Sequence, residues 1–215
     1  SARAMKTMGF TRLRLVNPQC NHLGERAMAT AHASQDILQN ARVYQDLMQA
    51  RDDLSLLIGS AAKRRNVRQD QLPVEELPGL ILGKGELVKK IGIAFGGEES
   101  GMSNEQLDMC DLLSSIPMYR RYPSLNLGQA VMVYATYLSK IHLNHKRPLR
   151  HEATDAELPV IRRKALEILA DVDLPADHII HRRILERLML LDQDDMNLFH
   201  SFCKFYLKKY HNRVK

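Results

Sequence analysis

Three short stretches of this 215-residue chain place residue types where chemistry could be done. The first is GGEESG at 96–101, which directly follows the apolar run KIGIAFG at 90–96. Glycines let a backbone turn sharply and approach a ligand closely. The pattern is not the dinucleotide G-x-G-x-x-G and has no P-loop lysine, so by itself it also describes a plain strand-to-helix turn. Glu98 and Glu99 are adjacent and cannot both be cheaply buried, so at least one should face solvent or a cation. The second stretch is SLN at 124–126, between the apolar run at 112–118 and a long helical pattern. Strand, tight turn and helix start in that order leave free backbone N–H groups beside Ser124 and Asn126. A lone SLN is accounted for equally well by Ser124 as an N-cap. The third is Arg3 in SARAMKTMGF, which alone is a solvated helix residue.

The elements that must position these residues alternate along the chain. RLRLVN at 12–17, LSLLIGS at 54–60, KIGIAFG at 90–96 and LLSSIPM at 112–118 are predicted as strands buried on both faces. Helical segments are predicted at 25–32, 46–52, 74–82 and 103–110, and a longer one from Leu125 to about Asn144. Ser103 and Gln106 have capping-box spacing, which marks a helix start. The layout is α/β with a mostly parallel sheet. Residues 1–8 are helix-like up to Gly9, so the first helix has no strand before it, and we expect a strand and loop upstream of Ser1.

These patterns divide the chain into an α/β domain at 1–144, a linker at 145–153 containing Pro148, and a helical extension at 154–215. Thr154 and Glu157 form another capping box. Ile161, Ala165, Ile168 and Leu169 share one helical face, and Ile180, Ile184, Leu188 and Leu191 make a second stripe. Met196, Phe199, Phe202, Phe205 and Tyr206 follow. Three helices over about 60 residues need their neighbour or a dimer mate to be stable.

Composition narrows the partners. The net charge of +6 and pI near 9.3 favour an acidic partner, nucleic acid first. No apolar run is long enough to span a membrane, and no secretory signal opens the chain. Cys20, Cys110 and Cys203 are too far apart for a zinc spacing or a disulfide framework, which fits a reducing cytoplasm. His178 and His181 lie one helical turn apart with no third ligand nearby, so no metal site is expected.

In combination the three stretches say more. SARAMKTMGF followed by LRLVNP, then IAFGGEESGMSNEQL, then SIPMYRRYPSLNLGQAV, resembles the three motifs of the TrmH/SpoU group of the SPOUT superfamily, in its TrmJ-type tRNA 2′-O-methyltransferase branch. The match covers residues 1 to about 140, and the helical tail resembles the TrmJ-type C-terminal extension more loosely. The resemblance implies a C-terminal trefoil knot in the α/β domain, a homodimer, and S-adenosyl-L-methionine as cofactor. The cofactor would lie against Gly59 and Ser60, against Phe95, Gly96 and Gly97, and against Ile116, Met118, Leu125 and Leu127. Arg3 corresponds to the motif-one arginine, which contacts the RNA phosphate or helps deprotonate the ribose hydroxyl. Glu98 corresponds to the motif-two glutamate, and Ser124 and Asn126 to the motif-three pair. The asparagine and glycine that open the family's motif one would precede Ser1.

Such a reaction needs alignment of a ribose 2′-oxygen with the methyl donor, and a group that helps the hydroxyl lose its proton. It calls for no metal. Arg64, Arg65, Arg120 and Arg121 are the expected phosphate contacts. Lys63 and Arg68, and Arg162, Arg163, Arg182, Arg183, Lys204, Lys208 and Lys209 in the tail, offer further positive charge. The leading expectation is an RNA ribose 2′-O-methyltransferase, on tRNA ahead of rRNA. The alternatives are a non-catalytic RNA-binding protein on the same fold, separable by cofactor binding, and a base methyltransferase, separable by locating the methyl group.

Overall fold

A computed structural model describes residues 1–61, 71–119, 125–144 and 158–211. The chain opens with helix α1 (Ala2–Thr7). Strand β1 (Arg14–Val16) then pairs in parallel with β2 (Arg42–Tyr44), with α2 (Glu25–Thr30) and α3 (Gln35–Gln39) between them. Helix α4 (Leu47–Arg51) leads to β3 (Leu56–Ser60), β4 (Gln71–Pro73), α5 (Leu77–Gly83), β5 (Ile91–Ala94), α6 (Asn104–Asp108) and β6 (Leu112–Ser115). The last four helices are α7 (Leu127–Asn144), α8 (Leu158–Asp171), α9 (Ile179–Leu190) and α10 (Gln193–His211).

Strands β3 to β6 form one all-parallel sheet in the order β4-β6-β3-β5, while β1 and β2 form a separate two-stranded sheet. The parallel α/β layout is as the sequence predicts, but burial differs from strand to strand. Leu56, Leu57, Ile58, Leu112 and Leu113 are buried, as expected for interior strands. β1 and β5 are only half-buried, because each lies at the edge of its sheet. Asp53 bridges the two sheets, accepting from Arg14 on β1 and from Lys90 just ahead of β5. The Arg14 guanidinium first, and then the Lys90 ammonium, hold its carboxyl well below the usual carboxylate range.

The three tail helices α8, α9 and α10 are present and are not independent. Leu158, Ile161, Ala165, Leu188, Met189 and Met196 join Leu56, Ile58, Leu77, Tyr134 and Leu138 in one continuous apolar cluster. This is the neighbour that so short a helical unit requires.

Two polar contacts fix the docking. Asp111, almost fully buried, accepts from Arg51 Nη2 on both of its oxygens, at 3.0 and 3.1 Å, and from the Leu57 N–H at 2.8 Å, while Arg51 Nη1 donates to the Met109 carbonyl. Arg162 of α8 lies 3.5 Å from the same carboxylate. At the other end, the fully buried Lys84 donates to the Leu191 carbonyl at 3.1 Å. Burial lowers the Lys84 pKa to about 8, with Asp192 pulling the other way. Next to it Gly85 has φ +49°, and a side-chain carbon there would lie 1.8 Å from Gln193 Oε1. Only glycine suits both the backbone angle and the space.

Candidate active site

The carboxyl ends of β3, β5 and β6 come level, because the sheet is parallel and in register. Gly59 lies opposite both Ala94 and Leu113, and Ser60 lies opposite Ser114. In open parallel sheets ligands bind outside this edge. The chain therefore carries Phe95 to Gly97, and Ile116 to Met118, out of the sheet on one side.

The glycine turn is folded tightly over its own start. The Gly101 N–H donates to the Gly97 carbonyl at 2.9 Å, with Gly101 at φ +70°. A side-chain carbon at Gly96 would stand 2.0 Å from the Gly101 carbonyl carbon and 2.1 Å from the Met102 nitrogen. Any other residue at 96 would have to push the turn open. Glu98 and Glu99 are both exposed at its tip, so neither carries an unpaired buried charge. The far end is held by the capping box that the sequence predicts: Ser103 N–H donates to Gln106 Oε1 at 2.9 Å, and Gln106 N–H to Ser103 Oγ at 3.2 Å.

Helix α7 starts two residues later than the sequence pattern suggests. Its cap is Asn126, which accepts from the Gln129 N–H at 2.8 Å while its own N–H donates to Gln129 Oε1 at 3.1 Å. Asn126 and Leu125 are exposed, and Leu127 is half-buried. Helix α1 packs on α7, with Gly128 close enough to Ser1 that a side-chain carbon there would lie 3.6 Å from the Ser1 nitrogen. Ala2 and Ala4 make the buried side of α1 and Arg3 is exposed. The start of the first motif and the end of the third are thus neighbours.

Tyr134, farther along α7, lies beneath this region. It is 1% exposed and meets the Phe95 ring edge-on, with centroids 5.3 Å apart. Its hydroxyl and that of Ser114 are both buried without a hydrogen-bond partner among the described residues. Burial raises the tyrosine pKa, while Ser114 and Ser60 beside it act the other way. The hydroxyls of Tyr134, Ser114 and Ser60 are thus gathered near the ends of β3 and β6. Tyr134 lines a cleft of about 2010 Å³ together with Phe95, Gly96, Gly97, Met102 and Leu127. The cleft runs past β1 and β5, where charged side chains such as Arg12, Arg14, Glu86, Lys89 and Lys90 join its apolar wall.

The expected site residues therefore divide. Phe95, Gly96, Gly97 and Leu127 share the cleft wall. Glu98 is on the loop above them, and Arg3 and Asn126 are exposed nearby on the packed starts of α1 and α7. Ser60, Ile116 and Met118 are half-buried around the strand ends. Gly59 is buried inside the sheet, where a side-chain carbon would come within 2.8 Å of Cys110 Sγ, so it can offer only backbone. Ser124, Arg64, Arg65, Arg120 and Arg121 lie outside the described residues, as do Lys63, Arg68 and the Thr154–Glu157 box. The sequence reading did not include Tyr134, Ser114 or Met102. Tyr134 carried a faint signal: it falls two helical turns after Leu127, a polar atom on an apolar stripe. Cys110 is no nucleophile, since burial pushes its thiol up to about 12 and it donates to the Gln106 carbonyl.

A sequence model of the SpoU rRNA Methylase family matches residues 1–136. The chain belongs to the SpoU methylase family. Its tail matches a second model, the C-terminal domain of tRNA/rRNA methyltransferase LasT, over residues 155–210. Among SpoU relatives, the chain is 36% identical over 203 residues to the uncharacterized tRNA/rRNA methyltransferase LasT of Escherichia coli, covering 93% of this chain and 87% of that one. It is 32% identical over 212 residues to the tRNA (cytidine-2′-O-)-methyltransferase TrmJ of Methanocaldococcus jannaschii, covering 94% and 90%. The solved structure of a probable methylase family protein from Haemophilus influenzae aligns over all of this chain and 91% of its own, with a TM-score of 0.66 at 30% identity. The structure of TrmJ from Z. mobilis shares the fold, with a TM-score of 0.62 at 23% identity over 95% and 91% of the two chains.

Proposed function

We propose that this SpoU-family chain is a tRNA ribose 2′-O-methyltransferase that uses S-adenosyl-L-methionine. The observation that carries the reading is the Gly96 cradle, folded at the carboxyl edge of a parallel sheet, with the preceding Phe95 set edge-on against the buried Tyr134. The relative from Methanocaldococcus jannaschii, named for 2′-O-methylation of a tRNA cytidine, supports both the ribose and the tRNA.

The residues present fit the cofactor. Phe95, Gly96 and Gly97 would hold it with Leu125, Leu127, Ile116 and Met118, and with the strand end at Gly59 and Ser60. When bound, it supplies an electrophilic methyl group on a sulfonium. Arg3 brings a positive charge that holds a phosphate or steadies the ribose oxygen as its proton leaves. Asn126 has its side-chain oxygen engaged by Gln129, so its amide N–H groups are what it offers a ligand. Glu98 provides a solvent-facing carboxylate on the motif-two loop, and Ser124 a hydroxyl just ahead of Asn126. Arg64, Arg65, Arg120 and Arg121 grip phosphates. The ribose hydroxyl also selects RNA over DNA.

The reading includes a trefoil knot at the carboxyl end of the 1–144 domain, a homodimer that completes the site, a short linker at 145–153 and a cytoplasmic location. Its test is transfer of labelled methyl from S-adenosyl-L-methionine to bulk tRNA and rRNA, digested to nucleosides. Label in 2′-O-methyl nucleosides of tRNA is the expected result. Label on a base, or none despite bound cofactor, would sink it.

A further inference from the structure

The outer face of α10 is aromatic and basic. Leu198, Phe202 and Phe205 are 71%, 54% and 69% exposed, while Met196, His200 and Cys203 hold the buried side of the same helix. The rings follow one another along the helix: Phe199 to Phe202 at 6.3 Å, Phe202 to Tyr206 at 6.3 Å, and Tyr206 to Tyr210 at 4.7 Å between centroids. Lys209 Nζ stands 5.4 Å from the Tyr210 centroid, and Lys204 and Lys208 are exposed. Across 199–210 the sequence has these lysines and no aspartate or glutamate; Asp194 and Asp195 lie in the first turn of α10.

We propose that this face is an RNA-binding surface, on which unpaired bases stack against Phe202 and Phe205 while Lys204, Lys208 and Lys209 take the phosphates. It rests on the proposed function only in taking RNA as the substrate. Interleaved aromatic and basic side chains are what single-stranded nucleic acid needs, since every base has a face to stack and every linkage a charge. Duplex RNA hides those faces, so loops and ends are the fitting targets. A second copy of the chain fits less well: an antiparallel twofold contact through α10 would bring Asp194 and Asp195 toward the lysines, two acids for three lysines per copy, and leave positive charge that an RNA answers better. Two arginines that the sequence grouped with these lysines, each only partly exposed, already face carboxylates. Arg162 faces Asp111 at 3.5 Å and Arg182 faces Asp108 at 4.0 Å, which concentrates the grip of the tail on α10.

The test is anisotropy binding of labelled oligouridylate, about 12 nucleotides long, and of an unmodified tRNA transcript, to the full chain over a salt series. Two variants are compared with it, Phe202→Ala/Phe205→Ala and Lys208→Ala/Lys209→Ala. The aromatic pair should weaken both ligands about tenfold or more with the salt slope unchanged. The lysine pair should lower the slope by about 1.4. Wild-type affinity in the aromatic variant overturns the proposal. So does a variant that sediments as a smaller oligomer with RNA affinity intact, which would make the face a protein interface. A chain that loses RNA with the phenylalanines yet transfers no methyl refutes the enzyme reading and leaves this surface standing. A chain that methylates tRNA and keeps full affinity without Phe202 and Phe205 refutes the surface alone.

Discussion

Asn126 and Gln129 exchange two hydrogen bonds, at 2.8 and 3.1 Å, and so close the first turn of α7 on itself. The motif-three asparagine is therefore a helix cap as well as a candidate site residue. Asn126→Ala should cost about 1 kcal/mol of stability, read as a shift in urea midpoint. Asn126→Ser keeps a capping oxygen but loses the amide, so it should stay near wild-type stability and lose methyl transfer. Full activity in the serine variant would reduce Asn126 to a cap.

Gly96 has no room for a side chain. Gly96→Ala forces a carbon into the Gly101–Met102 backbone, so the turn must open. Overpacking of this kind costs about 1–3 kcal/mol. Calorimetry should show at least a tenfold loss of S-adenosyl-L-methionine affinity, and unchanged affinity would remove this turn from the cofactor site.

Arg3 is exposed, and its helix is buried through Ala2 and Ala4 instead. Arg3→Ala should leave the melting curve within about 0.5 kcal/mol of wild type and leave cofactor affinity alone. Its methyl-transfer rate on tRNA should fall by about a hundredfold, as when a charge-stabilising group is lost. An active variant would take Arg3 out of the mechanism.

Asp111 answers Arg51, the Leu57 N–H and Arg162 at once. Asp111→Ala strands the Arg51 guanidinium, itself only 15% exposed, and should cost about 3–5 kcal/mol. The check is a lower urea midpoint with the slope unchanged.

Lys84 gives a pH dependence of definite sign. Its folded pKa, about 8, lies below the ordinary 10.5, so between those values the unfolded chain binds more protons. Stability from this site should thus rise as pH increases from about 8 to about 10.5, by about 3 kcal/mol in full. The difference in melting free energy between wild type and Lys84→Met isolates it from other titrations. A flat difference across that range would show that Lys84 is not buried as an ammonium.

Much of the site was legible because its signals are local. The glycine turn, the Ser103–Gln106 box and the alternation of apolar runs all act within a few residues of themselves. The Asn126–Gln129 box was written in the sequence too, but Ser124 stood beside it as a competing cap. Strands Arg42–Tyr44 and Gln71–Pro73 were not foreseen, nor helix Gln35–Gln39; segments this short carry almost no periodicity, and a neighbouring strand decides for them.

What the sequence determined by itself was the order of elements, the turn at 96–101 and the residue types available for methyl transfer, since backbone freedom and side-chain chemistry belong to single residues. Tertiary structure alone decided which strands are interior, which arginines are already paired, and that Tyr134 is buried against Phe95. Those outcomes depend on which surfaces meet across long stretches of chain. Arg162 reaches the buried Asp111 carboxylate while Arg163, one residue on, is solvated, because packing chose the face of α8.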